Sequence, residues 1–507
     1  MLTLWIEGHD FHYEMENLCR LFFPYERIAT VKTLPETEVD GIFVYAGISQ
    51  QGEARSFSAR IRMPDGREQK EQTFGTLSAT EKEQERKLGV ALFRVLQTVT
   101  GETPAWGILT GIHPVKLYRQ LCAERGESQA QKWFREKLLV SEEKIRIAQR
   151  TMEGELPVLQ ETDARSFSLY ISIPFCPTRC SYCSFVSQTV ERSARLIPEY
   201  VKLLCQEILH TAEIANALSL RLESVYIGGG TPTTLDAEAL ASLIDTVRNA
   251  FDLSACREFT VEAGRPDTIT LEKLQTIRQH GADRISINPQ TMNETVLRNI
   301  GRKHTVQAVR DAYRLARGVG FFSINMDLIA GLPGDTPESF AKTLQEVISM
   351  APENITVHAL ALKHAAKMMQ EEEIRSFHRD RAAAERMIRC ADQMLSEAGY
   401  RPYYLYRQSR TAGNLENTGW AKPGFEGHYN VYTMEECHTI LACGAGAVSK
   451  IKDPYSDRLE RIFNFKYSYE YVSRHAEMMA RKDRVKTLYE QFRQQLPEIR
   501  QPSRADQ

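Results

Sequence analysis

No run of about 18 consecutive apolar residues occurs in the 507-residue sequence, so no membrane-spanning helix is expected. No excess of basic residues is present either. Sixty-four Lys and Arg against 66 Asp and Glu leave a formal net charge of -2. A dedicated nucleic-acid binder would carry a basic surplus, and none is expected as a partner. The first residues, MLTLWIEGHDFHYEMENL, lack a positive region before an apolar core and do not read as a signal peptide. A cytoplasmic location is therefore expected, where thiols stay reduced. Ten cysteines are too few for a disulfide framework, and seven of them (19, 122, 205, 256, 390, 437 and 443) are scattered. Repeats and low-complexity tracts are missing too. No G-x-G-x-x-G and no G-K-[ST] occurs beside the one glycine run, so a nucleotide-phosphate loop is poorly supported.

The sequence does hold a C-x3-C-x2-C stretch, IPFCPTRCSYCSF, with Cys176, Cys180 and Cys183 within eight residues. Thiolates are soft ligands for zinc, copper(I) or iron–sulfur clusters. A structural zinc site takes four closed ligands, often two distant C-x2-C pairs, and a second pair is missing. A redox pair of Cys180 and Cys183 leaves Cys176 unused. Three thiolates on a [4Fe–4S] cube leave one iron open for a substrate or cofactor.

Around this loop the pattern alternates. Strand-like runs at 168–173, 224–228, 258–262, 283–287, 323–328 and 354–358 are separated by helical stretches. Six such repeats predict a parallel sheet of βαβ units. The runs read as apolar nearly throughout, as a sheet buried on both faces requires. Periodicity alone leaves an open doubly wound sheet and a partial or full barrel both standing. Chemistry-bearing residues follow the strand ends: the cysteines, GGGTP at 228–232, Glu262, Asn288 with Gln290, Asp327, and His358. In a parallel α/β array those ends share one face, where ligands bind. Before this core, Leu2–Ile6 and Gly41–Tyr45 read as strands. Leu88, Leu92, Val95, Leu96 and Val99 share a helix face, and 117–154 reads as a charged helical connector. After about residue 365 the chain reads as helical, then loop-rich, then helical again.

YISIPFCPTRCSYCSF, GGGTP, ISINPQTMN, IGRKHT and INMDLIAGLPGDT together resemble the radical S-adenosylmethionine superfamily. More narrowly they resemble its oxygen-independent coproporphyrinogen III oxidase (dehydrogenase) family, over residues 165 to 365. The N-terminal extension, NLENTGWAKPG and LACGAGAVSK are similar to a long bacterial subgroup. The resemblance implies a partial (β/α)6 barrel at 165–365, preceded by a small α/β domain at 1–105 and a helical connector at 106–164. A helical C-terminal domain at 366–507 would follow. It implies a [4Fe–4S] cluster on Cys176, Cys180 and Cys183, and one S-adenosylmethionine, with the family pattern allowing a second. Tyr170 would pack beside the methionine, Gly229, Gly230 and Thr231 would contact it, and Glu262, Gln290, Arg302 and Asp327 would hold the rest of the cofactor. The implied reaction is decarboxylation of two propionates of coproporphyrinogen III to vinyl groups, through a 5′-deoxyadenosyl radical that removes a hydrogen from the propionate β-carbon. The implied partners are a tetrapyrrole substrate and an electron donor such as flavodoxin or ferredoxin.

Two departures from that pattern bear on the reaction. Phe185 stands where the best-known enzymes carry a further cysteine, and this resembles the haem-chaperone branch. That branch carries H-N-x-x-Y-W near its C-terminus, whereas this chain has Tyr429-Asn430-Val431-Tyr432-Thr433. A haem carrier, or a radical enzyme acting on another tetrapyrrole, is the rival expectation.

Overall fold

The computed structural model describes residues 1–24, 26–34, 40–183, 187–361, 381–408 and 414–494; Phe185 and the 365/366 boundary lie outside them. The chain forms two compact units, 1–152 with 406–416, and 153–405 with 417–507. Among the described residues no helix is long and apolar enough to cross a membrane.

The first unit is built on a five-stranded sheet of β1 (Leu2–Glu7), β2 (Ile28–Val31), β3 (Ile42–Gln51), β4 (Ala54–Arg62) and β5 (Glu68–Thr76), in the order β2-β1-β3-β4-β5. Its core joins Leu2, Leu4 and Ile6 of β1 to Leu88, Leu92, Val95 and Leu96 of the helix Glu81–Thr100. That helix starts where the Thr80 side chain accepts the Glu83 N–H and ends at Gly101, which takes the left-handed conformation. The connector forms helices Pro114–Arg125, Glu127–Lys137 and Glu142–Leu159.

The second unit holds β6 (Ser166–Ile173), the two-residue strands β7 (Phe175–Cys176) and β8 (Gln188–Thr189), β9 (Arg221–Gly229), β10 (Glu258–Gly264), β11 (Arg284–Ile287), β12 (Ser323–Ala330) and β13 (Asn354–Ala359). Strands β6, β9, β10, β11, β12 and β13 are neighbours in that sequence and all parallel, giving the partial (β/α)6 barrel. The segment expected to be helical and loop-rich also supplies strands: β14 (Arg401–Arg407), β15 (Glu416–Ala421), β16 (Thr439–Cys443), β17 (Val448–Lys452) and β18 (Leu459–Phe463). They extend the same sheet at both edges. β15 runs antiparallel beside β13, and β16 adds a seventh parallel strand beside β6.

The strands are not apolar on both faces. Leu169, Ile171 and Ile173 of β6, Val225 and Ile227 of β9, and Ile324, Met326 and Leu328 of β12 are all fully buried on the outer, helix-covered face. Burying each contributes about 1.5–3 kcal/mol. The alternate positions point inward and are polar. Ser168 Oγ lies 2.7 Å from Ser224 Oγ, and Thr260 donates to Glu258 at 2.8 Å. Asn325 Nδ2 donates to Ser286 Oγ at 2.8 Å, and Arg284 donates to Asn354 Oδ1 at 2.8 Å. A short barrel encloses its own interior, and buried polar groups survive there because they bond one another. Its amino-terminal end is closed by Phe425, whose carbonyl accepts from Arg284 and Asn354.

Candidate functional site

The carboxyl-terminal ends of β6, β9, β10, β11, β12 and β13 carry most of the residues singled out from the sequence; Arg302 follows the helix Glu294–Asn299 instead. Cys176 ends β7, which pairs with β8 just beyond the barrel. The glycine run leaves β9 and is held against the end of β6 and against β7: Gly230 N–H donates to Ile173 O and Thr231 N–H to Phe175 O, both at 2.8 Å. Gly230 must be glycine, because a Cβ there would lie 2.6 Å from Phe175 O and 3.0 Å from Cys176 Sγ. The Thr231 hydroxyl donates to Cys176 Sγ at 3.5 Å. Burial pushes the Cys176 thiol up, so ligation has to displace its proton.

Glu262 and Asp327 face the interior from β10 and β12. Burial, with the Asp327 carboxylate second, pushes the Glu262 carboxyl up to about 8, although Gly229 N–H and Asn288 bond to it. Burial opposes ionisation of Asp327 as well. There the His358 imidazole at 3.9 Å, with the Asn325 amide at 2.7 Å, holds the carboxyl below its usual value. Two nearby carboxylates in a desolvated space divide in this way, one neutral and one charged. Gln290 has a left-handed backbone (φ 68) and is stitched to β12, its N–H donating to Asp327 O and its carbonyl accepting from Ile329 N–H. Arg302 is buried and donates to Asn288 O at 2.6 Å and to the Tyr182 hydroxyl at 3.3 Å, between two of the cysteines. Tyr170 stands lower in the barrel, its ring stacked 6.3 Å from Tyr226 and 6.1 Å from Tyr429; Tyr226 and Tyr429 stack at 4.6 Å.

Some participants were not singled out. Arg265 follows β10 and reaches the cysteine loop, donating to Thr178 Oγ1 at 2.8 Å and to Cys180 Sγ at 3.8 Å. His304 is buried beside it; burial first, then Arg302, pushes its imidazole down to about 4. Both were legible only as an arginine after a strand end and a histidine within IGRKHT. An open groove of about 660 Å³ on the outer helices, lined by Leu271, Arg278 and Leu315 among others, contains none of these residues.

The Radical SAM superfamily description matches residues 170–347. Over 92% of its length the chain is 36% identical to the oxygen-independent coproporphyrinogen-III oxidase-like protein HemZ of Bacillus subtilis, covering 95% of that protein. It is 30% identical to the haem chaperone HemW of Escherichia coli over 57% of this chain and 71% of the relative. The structure of the Escherichia coli coproporphyrinogen III oxidase HemN, a radical SAM enzyme, superposes with a TM-score of 0.50 at 25% identity, covering 64% of this chain and 72% of that one. A [4Fe–4S] cluster and S-adenosylmethionine are the cofactors that go with this superfamily.

The residues present fit both groups. Among the described residues no three His, Cys, Asp or Glu side chains converge on a single metal ion. A cube does not require that, because each thiolate takes a different iron. Gln290 Oε1 and Arg302 Nε are buried without a hydrogen-bond partner among the described residues. An acceptor and a cationic donor left open in this way suit a ligand that carries an ammonium and a carboxylate. With 36% identity across nearly the whole of both chains, the protein belongs to the oxygen-independent coproporphyrinogen-III oxidase-like family of radical S-adenosylmethionine proteins.

Proposed function

We propose that the protein decarboxylates two propionate side chains of coproporphyrinogen III to vinyl groups without oxygen. Cys176, Cys180 and Cys183 would hold the cluster. Gly229, Gly230 and Thr231 would line the methionine end, and Glu262, Gln290, Arg302 and Asp327 would hold the rest of S-adenosylmethionine. When bound, these cofactors supply hydrogen-atom abstraction from an unactivated carbon. Each propionate gives up one hydrogen atom, carbon dioxide and one electron, and the electron passes to an acceptor. The chain's own part is positioning and exclusion of water. Arg302 offers a guanidinium to a carboxylate, and Tyr170, Tyr226 and Tyr429 form an aromatic floor below Glu262. A flavodoxin or ferredoxin would deliver the initiating electron.

The observation that carries this reading over haem carriage is the place of Tyr429. It occupies the signature histidine's position, yet it is 9% exposed and stacked on Tyr226. The adjacent His428 lies instead 3.2 Å from Glu161. A carrier needs an axial ligand such as histidine, and this position offers a buried phenol. The likeness to HemW and the phenylalanine at 185 favour the second reading, haem carriage. One anaerobic preparation with an intact cluster tests both. Conversion of coproporphyrinogen to a product lighter by two carbon dioxides and four hydrogens, with 5′-deoxyadenosine formed in step, is expected, together with weak haem binding. Stoichiometric haem binding with no decarboxylation under any reductant would overturn the proposal.

Glu262 gives this reading a pH signature. A carboxyl titrating near 8 is neutral in the free site at pH 7, and a cationic ligand favours its ionised form. Affinity for S-adenosylmethionine is expected to rise with pH and level off above about 8. Glu262→Gln should flatten the profile in anaerobic calorimetric titrations. A wild-type profile as flat as the variant's would remove Glu262 from the cofactor site.

A further inference from the structure

We infer that Arg265 is a positioning residue for the iron–sulfur loop, presenting one guanidinium N–H to the Cys180 sulfur and so raising the reduction potential of the bound cluster. The inference rests on Cys176, Cys180 and Cys183 being the cluster ligands.

The backbone aims this side chain. The β10–β11 register shifts between Glu262 and Gly264, and Gly264 adopts a left-handed conformation (φ 63) that other residues avoid. The Arg265 N–H then closes a tight bond to Ala263 O at 2.6 Å, and a short helical turn, Pro266–Thr268, brings Asp267 alongside. Asp267 takes the guanidinium in a fork, Nε to Oδ1 at 3.0 Å and Nη2 to Oδ2 at 2.8 Å. That fork fixes the plane of the group and leaves Nη1 pointing at the cysteine loop. Nη1 meets Thr178 Oγ1 at 2.8 Å, Thr178 O at 3.3 Å and Cys180 Sγ at 3.8 Å.

This geometry exceeds what anchoring a loop requires. Arg265 is 3% exposed, and burying a guanidinium is costly unless its donors are used. Its uses are one carboxylate, one threonine and one sulfur. Thr178 lies midway between Cys176 and Cys180, so gripping it sets the span between two thiolates. An N–H directed at a ligating sulfur draws electron density from the cluster and favours the reduced state. His304 fills the far side, its Nδ1 3.9 Å from Asp267 Oδ1, and as a neutral ring it adds no charge, leaving the guanidinium groups of Arg265 and Arg302 as the positive charges beside the cysteine loop.

The test uses full-length protein reconstituted anaerobically, with iron content and the midpoint potential of the cluster read by redox titration under EPR. Arg265→Met is expected to lower the potential enough to shift the reduction equilibrium about tenfold, equivalent to about 59 mV for one electron. Arg265→Lys keeps a charge without the fork and should shift it less. Asp267→Asn leaves the guanidinium but loosens its hold, and should also lower the potential. Full iron loading with an unchanged potential in R265M and R265K overturns the inference. Should both lose iron, D267N decides, and an unchanged potential there overturns it equally. A wild-type protein that binds no cluster would instead refute the ligand assignment, which separates the two failures.

Discussion

Serine in place of Cys176, Cys180 or Cys183 is expected to abolish the cluster outright, while Cys437→Ser and Cys443→Ser retain it. Wild-type protein should carry about four irons and four sulfides per chain. Each loop cysteine would supply one of only three protein thiolates, and a serine oxygen is a poor ligand for iron in a sulfide cube. Cys443 is a fair control: it is fully buried, and its sulfur sits 3.3 Å from Thr211 Oγ1, at the end of β16. Burial pushes its thiol up to about 12, so it offers no thiolate. Iron and sulfide analysis after reconstitution, with circular dichroism to verify folding, makes the comparison. Full iron in C180S, or one zinc per chain in oxygen-free wild-type protein, would defeat the cluster assignment.

Glu207→Ala is expected to cost about 3–5 kcal/mol of stability, because it strands a buried cation. Glu207 is fully buried in the helix Ile197–Ala217 and holds four donors: Lys482 Nζ at 2.8 Å, Gly444 N–H at 2.8 Å, Asn464 Nδ2 at 2.8 Å and the Tyr471 hydroxyl at 2.6 Å. Lys482 is 1% exposed, so no water replaces the lost carboxylate. Burial opposes ionisation of Glu207, but Lys482 and the other donors hold its carboxyl below the usual 4.5. The sign follows from that depression. The stabilisation is complete above the unfolded-state value near 4.5 and is lost as pH falls through the lower folded value. Urea unfolding of E207A and E207A/K482M tests the argument. The double variant should recover much of the loss, since two apolar side chains leave no charge unpaired. An unfolding free energy for E207A within about 1 kcal/mol of wild type would refute it. The loss should also reach the cluster, because the Gly444 loop it loosens accepts the Ser172 hydroxyl at Ala445 O, 2.9 Å away.

The strand-and-helix repeat from 168 to 358 was readable because each parallel strand needs a covering helix, and both periods are written locally. The polar lining was not read, because Ser168, Tyr170 and Ser172 fall between isoleucines and leucines in a run that looks continuous. Their partners, Ser224, Tyr226 and Ala445, come from other elements. The hairpin β4–β5 escaped for a related reason: ARSFSARIR and EQKEQTFGT are mostly polar, and the buried apolar residues of β4 are Phe57, Ala59 and Ile61. β16 to β18 are five residues each; β16 and the start of β17 read as a Gly/Ala segment, and β18 ends just before the stretch that reads as a helical tail. The cysteines and the glycine run were legible because spacing alone carries their chemistry. Arg265 was not, since an arginine between a glycine and a proline reads as a surface turn until the fold brings Thr178 and Cys180 to it. Tyr429 joins the barrel floor from a helix, His428–Glu435, far along the chain, and no local pattern announces that.

The seventh parallel strand has a consequence for assembly in time. β6 leads directly into the cysteine loop, and one of its edges pairs with β16. Ser168 meets His438 across a separation of 270 residues. At about 5–20 residues per second of synthesis, that edge stays open for some tens of seconds after β6 is made. During that interval the first strand of the barrel is an unpaired edge, open to pairing with other chains. The cysteine loop likewise lacks the Ala445 contact that steadies Ser172 beneath it. Cluster insertion therefore belongs after translation has passed β16, and a chain terminated before Thr439 is expected to aggregate on the ribosome's product side rather than accumulate as an apo-barrel.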